Sequence, residues 1–548
     1  MSCSSQSECR QSQLGEQMSA KFTFSKNTFS HPYFLLTTII VVTFFSYFKV
    51  LSYDFSYVDD EQLVLERLEW LSHPDNIPDL FAQEFLPKKD IHLDGSGYYR
   101  PLVNLTFAMD SWVYGINAGG YHASNLIFHL LSICILFLFL RSVRLKDREN
   151  LLSCLIFSIH PAATHAIAWI PGRTDLLLTL FTLISFLFFS LWYQNRENKK
   201  LLIPMVFSLL GAMLCKENGV MVFPFLLAIM VLVSSKPVKP SDWGALLAIG
   251  VLPTLIYAFL WHNVWGNRAL SERSMIDLIN YLPLLPYNYA KLILPHQMVT
   301  MDYYKDLPLI MVWLVLPLGV FLWTFKSPNE KIIAGSNCWI LMTSTPSLLA
   351  ARNHILENRL YGLVAPLAVS LVLAGSSCYK QLKIEHRKLF LGFFSLWVLF
   401  LAWSTLKYIP AFKDKDSFIS QTKENSSNDL VPFKKALFLI KSGKLDEGEA
   451  LLLKLDKSPQ PLKNVANNLG VIYLRRKKLE LAANFFSKEL ARYPGQIIAA
   501  KNLIQVYLNL GQFSKAKALV ERTLTAHPSD PKLLDIKNFL EKMAPSDK

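Results

Sequence analysis

The chain has 548 residues, 52% of them apolar and 18% charged, with a formal net charge of +14. A composition this apolar points to a membrane protein and weighs against an ordinary soluble multidomain enzyme. The basic excess does not argue for nucleic acid, because a polytopic protein keeps Lys and Arg on its cytoplasmic loops whatever it binds, and no basic helix or zinc-type spacing accompanies it.

Residues 1–32 are polar and Ser-rich and read as a disordered cytoplasmic tail. The apolar run that follows, 33–51, is too long for a signal-peptide core and lacks a small-residue cleavage pattern, so it reads as an uncleaved anchor. Next comes Y-D-F-S-Y-V-D-D-E at 53–61, which places Asp59, Asp60 and Glu61 just outside the bilayer. Carboxylates held there either solvate a helix exit or supply a catalytic base. Asp59 and Asp60 are adjacent and point apart, which disfavours a symmetric dyad; Asp59 is the expected base, with Asp60 and Glu61 in support.

A large outward segment, 53–122, is followed by apolar runs at about 123–140, 150–168, 174–193, 201–215, 219–235, 243–261, 307–325, 332–350, 360–377 and 389–406. With the anchor these make about eleven expected spans in a membrane domain over 33–408. The loops R-S-V-R-L-K-D-R (141–148), Q-N-R-E-N-K-K (194–200), K-P-V-K-P (236–240), K-S-P-N-E-K (326–331) and Y-K-Q-L-K-I-E-H-R-K (379–388) fall on one side. The positive-inside rule makes that side cytoplasmic. The proline-broken segment 276–306 reads as interfacial or re-entrant, since another crossing would invert the charge pattern.

The opposite face carries isolated, varied polar residues: His160, His165, Arg173, Asp175, Lys216, Glu217, Glu357 and Arg359. His160 and His165 are five apart, with Pro161 between them. That spacing does not put two imidazoles on one helix face, so metal binding is disfavoured. G-R-T-D at 172–175 reads as a helix entry, with capping and snorkelling as the plain alternative to a ligand role. Arg100, Lys216 and Arg359 are cations at the outward boundary, where a lipid phosphate would lie. The seven cysteines imply no disulfide framework.

From residue 430 the pattern becomes that of amphipathic helices. Leu469, Tyr473, Ala482 and Pro494 recur 34 positions later as Leu503, Tyr507, Ala516 and Pro528, the period of tetratricopeptide helix pairs. A degenerate first unit is expected at 430–460, giving a minimal array over 430–540 that serves as a peptide-binding surface or as a spacer. N-L-T at 104–106 and N-S-S at 425–427 face outward and fit the glycosylation triplet of a eukaryote, a pattern that also arises by chance.

Several stretches together resemble one family. The acidic pair after the anchor, Y-Y-R-P-L-V-N-L-T-F, G-Y-H-A-S-N-L-I-F-H-L, H-P-A-A-T-H-A-I-A-W-I-P-G-R-T-D-L-L, L-C-K-E-N-G-V and E-N-R-L-Y are similar to the transmembrane, tetratricopeptide-repeat O-mannosyltransferases, and more broadly to the protein O-mannosyltransferase group of GT-C glycosyltransferases. The resemblance implies an all-α, GT-C-type helical bundle followed by a short α-solenoid. It also implies an inverting transfer of a sugar, mannose in the family, from a polyprenyl-phosphate donor to a hydroxyl of a protein or peptide acceptor on the non-cytoplasmic face. Asp59 would take the acceptor proton, while Arg100 and Arg359 hold the leaving phosphate with Arg173 and Lys216. His160, His165, Asp175, Glu217 and Glu357 would shape the site. No cofactor is required, and a divalent metal is left open. The competing readings are a transferase acting on lipid or polysaccharide and a non-catalytic scaffold presenting repeats. The bacterial inner membrane and the endoplasmic reticulum are both compatible, the short array favouring the former.

Overall fold

The computed structural model describes residues 31–56, 59–85, 98–233, 239–265, 291–295, 298, 302–303, 330–349, 354–355, 357–421, 429–441, 443–459, 461–528 and 530–543. Among these, helix dominates and the sole sheet is a two-residue antiparallel pair, Asp302–Tyr303 with His354–Ile355. Among the described residues, six helices are long and apolar enough to cross a membrane: Pro32–Ser52, Ala118–Ser142, Ile170–Gln194, Pro240–Val264, Asn358–Gln381 and Ile384–Phe412. Phe45, Phe259, Phe393, Leu396 and Leu399 stand exposed on their outer surfaces, an apolar girdle suited to lipid. The chain is therefore an integral membrane protein of helical-bundle type with a tetratricopeptide array at its end.

Several expected runs take a different form. The run 150–168 is not one helix: Asp147–Ile159 and Pro161–Ala168 meet at an angle of 56°. Pro161 has no N–H for the ladder and forces the preceding His160 into extended backbone, with ψ at 131°. The run 201–215 forms a helix of 14 residues, Leu202–Cys215. The next one opens with a 3₁₀ turn, Glu217–Met221, before Val222–Val233. The 307–325 run, most of the 276–306 segment, the tail to residue 30 and the triplet at 425–427 lie outside the described residues.

The outward segment 53–122 is not a loop throughout. It contains the helix Pro101–Tyr114, and Ala118–Ser142 begins inside it. It also has its own core, in which Phe55, Leu63, Val64, Leu71, Leu80, Phe107 and Tyr121 are buried together. Asn104 of the N-L-T triplet is 1% exposed inside that helix, which corrects the expectation that it presents a glycan.

Arg173–Gln194 is the central helix, packed between Ala118–Ser142 and Leu202–Cys215. Gly211 lets the last of these approach closely, because a Cβ there would lie 2.8 Å from the Phe181 ring. The polar residues of the candidate site gather around the N-terminal end of this helix or the turns beside it.

The C-terminal part forms three helix pairs, Leu430–Lys441 with Leu445–Asp456, Val465–Arg475 with Leu479–Arg492, and Ile497–Asn509 with Phe513–Ala526, closed by Pro531–Met543. The first pair is the expected degenerate unit. Gly443 turns it with φ at 81°, a conformation that favours glycine. Fully buried Glu489 accepts hydrogen bonds from the backbone N–H groups of Asn464, Ala466 and Asn467, so a carboxylate satisfies the orphan donors at the start of Val465–Arg475. The array does not hang free. Phe412, which ends the last span, and Phe418 just beyond it are buried against the membrane bundle, Lys415 lies over the Phe438 ring of the first repeat helix, and Asp416 pairs with Lys444.

Candidate active site

Two polar groupings meet at the head of Arg173–Gln194. The first is the acidic segment. Asp60 is 1% exposed and accepts from the backbone N–H of Ser56 at 2.7 Å and from its hydroxyl at 3.0 Å. The Ser56 hydroxyl in turn accepts from the Trp169 indole N–H at 3.1 Å. This short helix, Asp60–Leu63, packs on the turn Ile170–Gly172 that opens the central helix. Asp60 thus locks the loop that carries Asp59, which with Glu61 is half-buried.

Burial pushes the Asp60 carboxyl up to about 6, partly offset by the Ser56 hydrogen bonds. The folded protein therefore binds more protons than the unfolded chain between about pH 4 and pH 6, so this group makes stability fall as pH rises through that window and level off above it. The cost of the ionised form is on the order of 3 kcal/mol. Asp60→Asn should flatten the slope, raising the thermal midpoint at about pH 7 relative to that at about pH 4; an unchanged wild-type slope in the variant would refute the assignment.

The second grouping is cationic. Arg100 donates to Glu217 from Nε at 3.2 Å and from Nη2 at 2.9 Å, with its guanidinium 4.3 Å above the Tyr98 ring. Lys216 Nζ lies 2.6 Å from Asp175 Oδ1, and Asp175 Oδ2 accepts from Asn358 at 2.8 Å. Arg359 lies within electrostatic reach of Arg100, Asp175 and Glu217, and it lines a small cavity with Asp175, Asn218 and Thr343. Among the described residues, no ion pair or hydrogen bond engages its guanidinium. The described side chains thus set three cations against two carboxylates, leaving the excess positive charge on Arg359.

The other expected residues have structural partners. Arg173 is fully buried. It pairs with Asp110 at 2.6 Å and donates to Asn125 Oδ1 at 2.7 Å and to the Tyr121 carbonyl at 2.9 Å. Its donors are committed to protein, which corrects its expected role as a phosphate ligand. His160 caps Pro161–Ala168 by accepting from the Ala162 N–H, and its other nitrogen lies 2.7 Å from the Leu292 carbonyl. His165 is boxed by Trp169, Phe412 and Phe418, and its two ring nitrogens are buried with no hydrogen-bond partner among the described residues. The Glu357 side chain lies outside the described residues. No three metal-ligating side chains cluster among those described.

Sequence reasoning missed Asp110, Asn125, Ser56 and Trp169. Asp110 alone left a trace, as a lone acid within F-A-M-D-S-W, where an unpaired charge in an apolar run asks for a cation.

The fold and this boundary cluster define a helical membrane protein with polar machinery at one end of its bundle and a repeat array beyond it. The tetratricopeptide-repeat family model matches residues 473–538. In Mus musculus, protein O-mannosyl-transferase TMTC4 is 31% identical over 192 residues, covering 31% of this chain and 26% of that protein. In Caenorhabditis elegans, protein O-mannosyl-transferase F38B6.6 is 25% identical over 269 residues, 47% of this chain and 38% of that one. Human protein O-mannosyl-transferase TMTC3 is 29% identical over 191 residues, 34% and 20% of the respective chains. The chain thus matches between a fifth and two-fifths of the length of these relatives, and their names bear out its resemblance to the transmembrane, tetratricopeptide-repeat O-mannosyltransferases. Among solved structures, apo ArnT from Cupriavidus metallidurans superimposes with a TM-score of 0.42 at 12% identity, over 90% of this chain and 80% of that one.

Proposed function

We propose that this protein is a membrane glycosyltransferase of GT-C type that moves a sugar, mannose in the first instance, from a polyprenyl-phosphate donor to a hydroxyl of a protein acceptor on the outward face. The observation that carries the reading is the Arg359 guanidinium, unengaged among the described residues, beside the Arg100–Glu217 and Lys216–Asp175 pairs, at the same end of the central helix as Asp59. A guanidinium fork suits a phosphate that gains charge as it leaves. Asp60 and Ser56 hold the loop, and Asp59 takes the proton. The acceptor oxygen attacks the anomeric carbon, the bond from that carbon to the phosphate oxygen breaks, and the lipid phosphate departs with the electron pair. Attack opposite the leaving group inverts the anomeric centre. The repeat array, seated on the same face, supports a protein acceptor over a lipid one. The basic loops at the other end of the bundle support an outward face that is luminal or periplasmic.

The test is transfer of labelled mannose from polyprenyl-phosphate mannose to peptide by purified protein. Wild type should transfer and Asp59→Asn should not, with matched thermal midpoints. Equal transfer by both would remove Asp59 as the base, and no transfer by wild type with any lipid-linked sugar would favour a scaffold.

A further inference from the structure

A second cavity lies at the opposite, basic-loop end of the bundle. Its volume is about 400 Å³, within the range of about 300–1,000 Å³ typical of ligand pockets. Its floor is aromatic: Trp339 packs edge-on to Phe186 at 4.7 Å and lies 6.3 Å from Phe225, ring centre to ring centre. Its walls come from the C-terminal half of Arg173–Gln194, from Val222–Val233 and from Glu330–Leu349, and the lining is almost wholly apolar. Gly335 keeps it open, since a Cβ there would meet Ile229 Cδ1 at 2.7 Å.

The rim is cationic. Arg144 and Lys331 line the mouth, and both are exposed. Arg196, from the neighbouring basic loop, is neutralised by Asp242 at 2.7 Å, so the rim charge rests on the other two. Arg144 ends Ala118–Ser142 in a left-handed conformation, φ 61°, a position glycine would occupy without strain. Keeping an arginine there puts a cation at the mouth at a conformational cost. Basic pockets between spans at this end of a bundle suit acidic lipid headgroups.

We propose that this cavity holds an acyl chain of an anionic phospholipid from the leaflet on the basic-loop side, with the lipid phosphate between Arg144 and Lys331. The site is separate from the boundary cluster at the outward end and does not depend on the transferase reading. The chain displaces water from an apolar cleft that water solvates poorly, and the two cations give the headgroup its selectivity.

The experiment uses the purified full-length protein in detergent, with dioleoyl-phosphatidylglycerol or dioleoyl-phosphatidylcholine added, reading the thermal midpoint and lipid retained by native mass spectrometry. Wild type should bind the phosphatidylglycerol about 30-fold more tightly, as two surface cations predict. Arg144→Gly with Lys331→Ala, exposed changes of which the first relieves strain, should leave the lipid-free midpoint unchanged or higher and abolish the preference. Gly335→Phe, which fills the cleft, should abolish retention of both lipids. Equal binding of the two lipids by wild type, a preference surviving in the double variant, or displacement of phosphatidylglycerol by an equimolar polyprenyl phosphate would each overturn the proposal, the last by assigning the cleft to an isoprenoid chain.

Discussion

Arg359→Gln is expected to lower the turnover of sugar transfer by about 100- to 1000-fold, the usual consequence of removing one preorganised donor from a developing oxyanion. The magnitude follows from how the three cations are engaged. Glu217 already takes two of the Arg100 donors, and Asp175 takes Lys216, so neither can give a leaving phosphate its full charge without loosening the carboxylate that holds it. The Arg359 fork has no such partner among the described residues, and charge that develops late in the reaction falls to it. The loss should appear in kcat more than in KM, because the ground-state diester already finds the general positive field. Arg359→Lys should recover part of the rate, keeping the charge but not the fork. A variant with unchanged kcat and raised KM would mean that Arg359 anchors the donor without stabilising its departure.

Arg173→Met should destabilise the folded protein by about 3–5 kcal/mol, because it leaves Asp110 buried without its cation. Asp110 keeps only its bond from Ser124, at 2.7 Å, which does not neutralise it. Arg173→Met with Asp110→Leu should restore most of the loss, since two apolar side chains can replace a buried pair at little net cost. Thermal unfolding in detergent distinguishes the cases. Equal destabilisation of the single and double variants would show that Asn125 and the Tyr121 carbonyl, not the charge, depend on Arg173. Full stability of the single variant with lost transfer would return Arg173 to the donor site.

Both expectations turn on what could be read before the fold was known. Long apolar runs and basic loops made the membrane domain legible, because hydrophobic length and charge asymmetry are properties of contiguous sequence. The 34-residue period made the repeats legible for the same reason: Leu469, Tyr473, Ala482 and Pro494 return as Leu503, Tyr507, Ala516 and Pro528. Pairings were not legible. Lys216 and Asp175 are 41 residues apart and Arg100 and Glu217 are 117 apart, and nothing local says that one arginine will be buried and saturated while another keeps an open face. Arg173 and Arg359 look alike in sequence; packing by Phe107 and Asp110 on one side separates them. The bend at His160 was signalled by Pro161, yet the proline could not disclose that the ring beside it would meet the Leu292 carbonyl.

The splice between the bundle and the repeats has a mechanical meaning. Backbone pairing of the Asp54 N–H with the Lys413 carbonyl at 3.0 Å, and the seating of Phe412 and Phe418 on His165, step the array into the membrane body like a mast into a keel. With its foot fixed by Lys415 and Asp416, the array has a set heading. How far its tip stands from that foot is then counted in helix pairs, so that adding or deleting one pair moves the tip by one step and turns it by the rotation between neighbouring pairs.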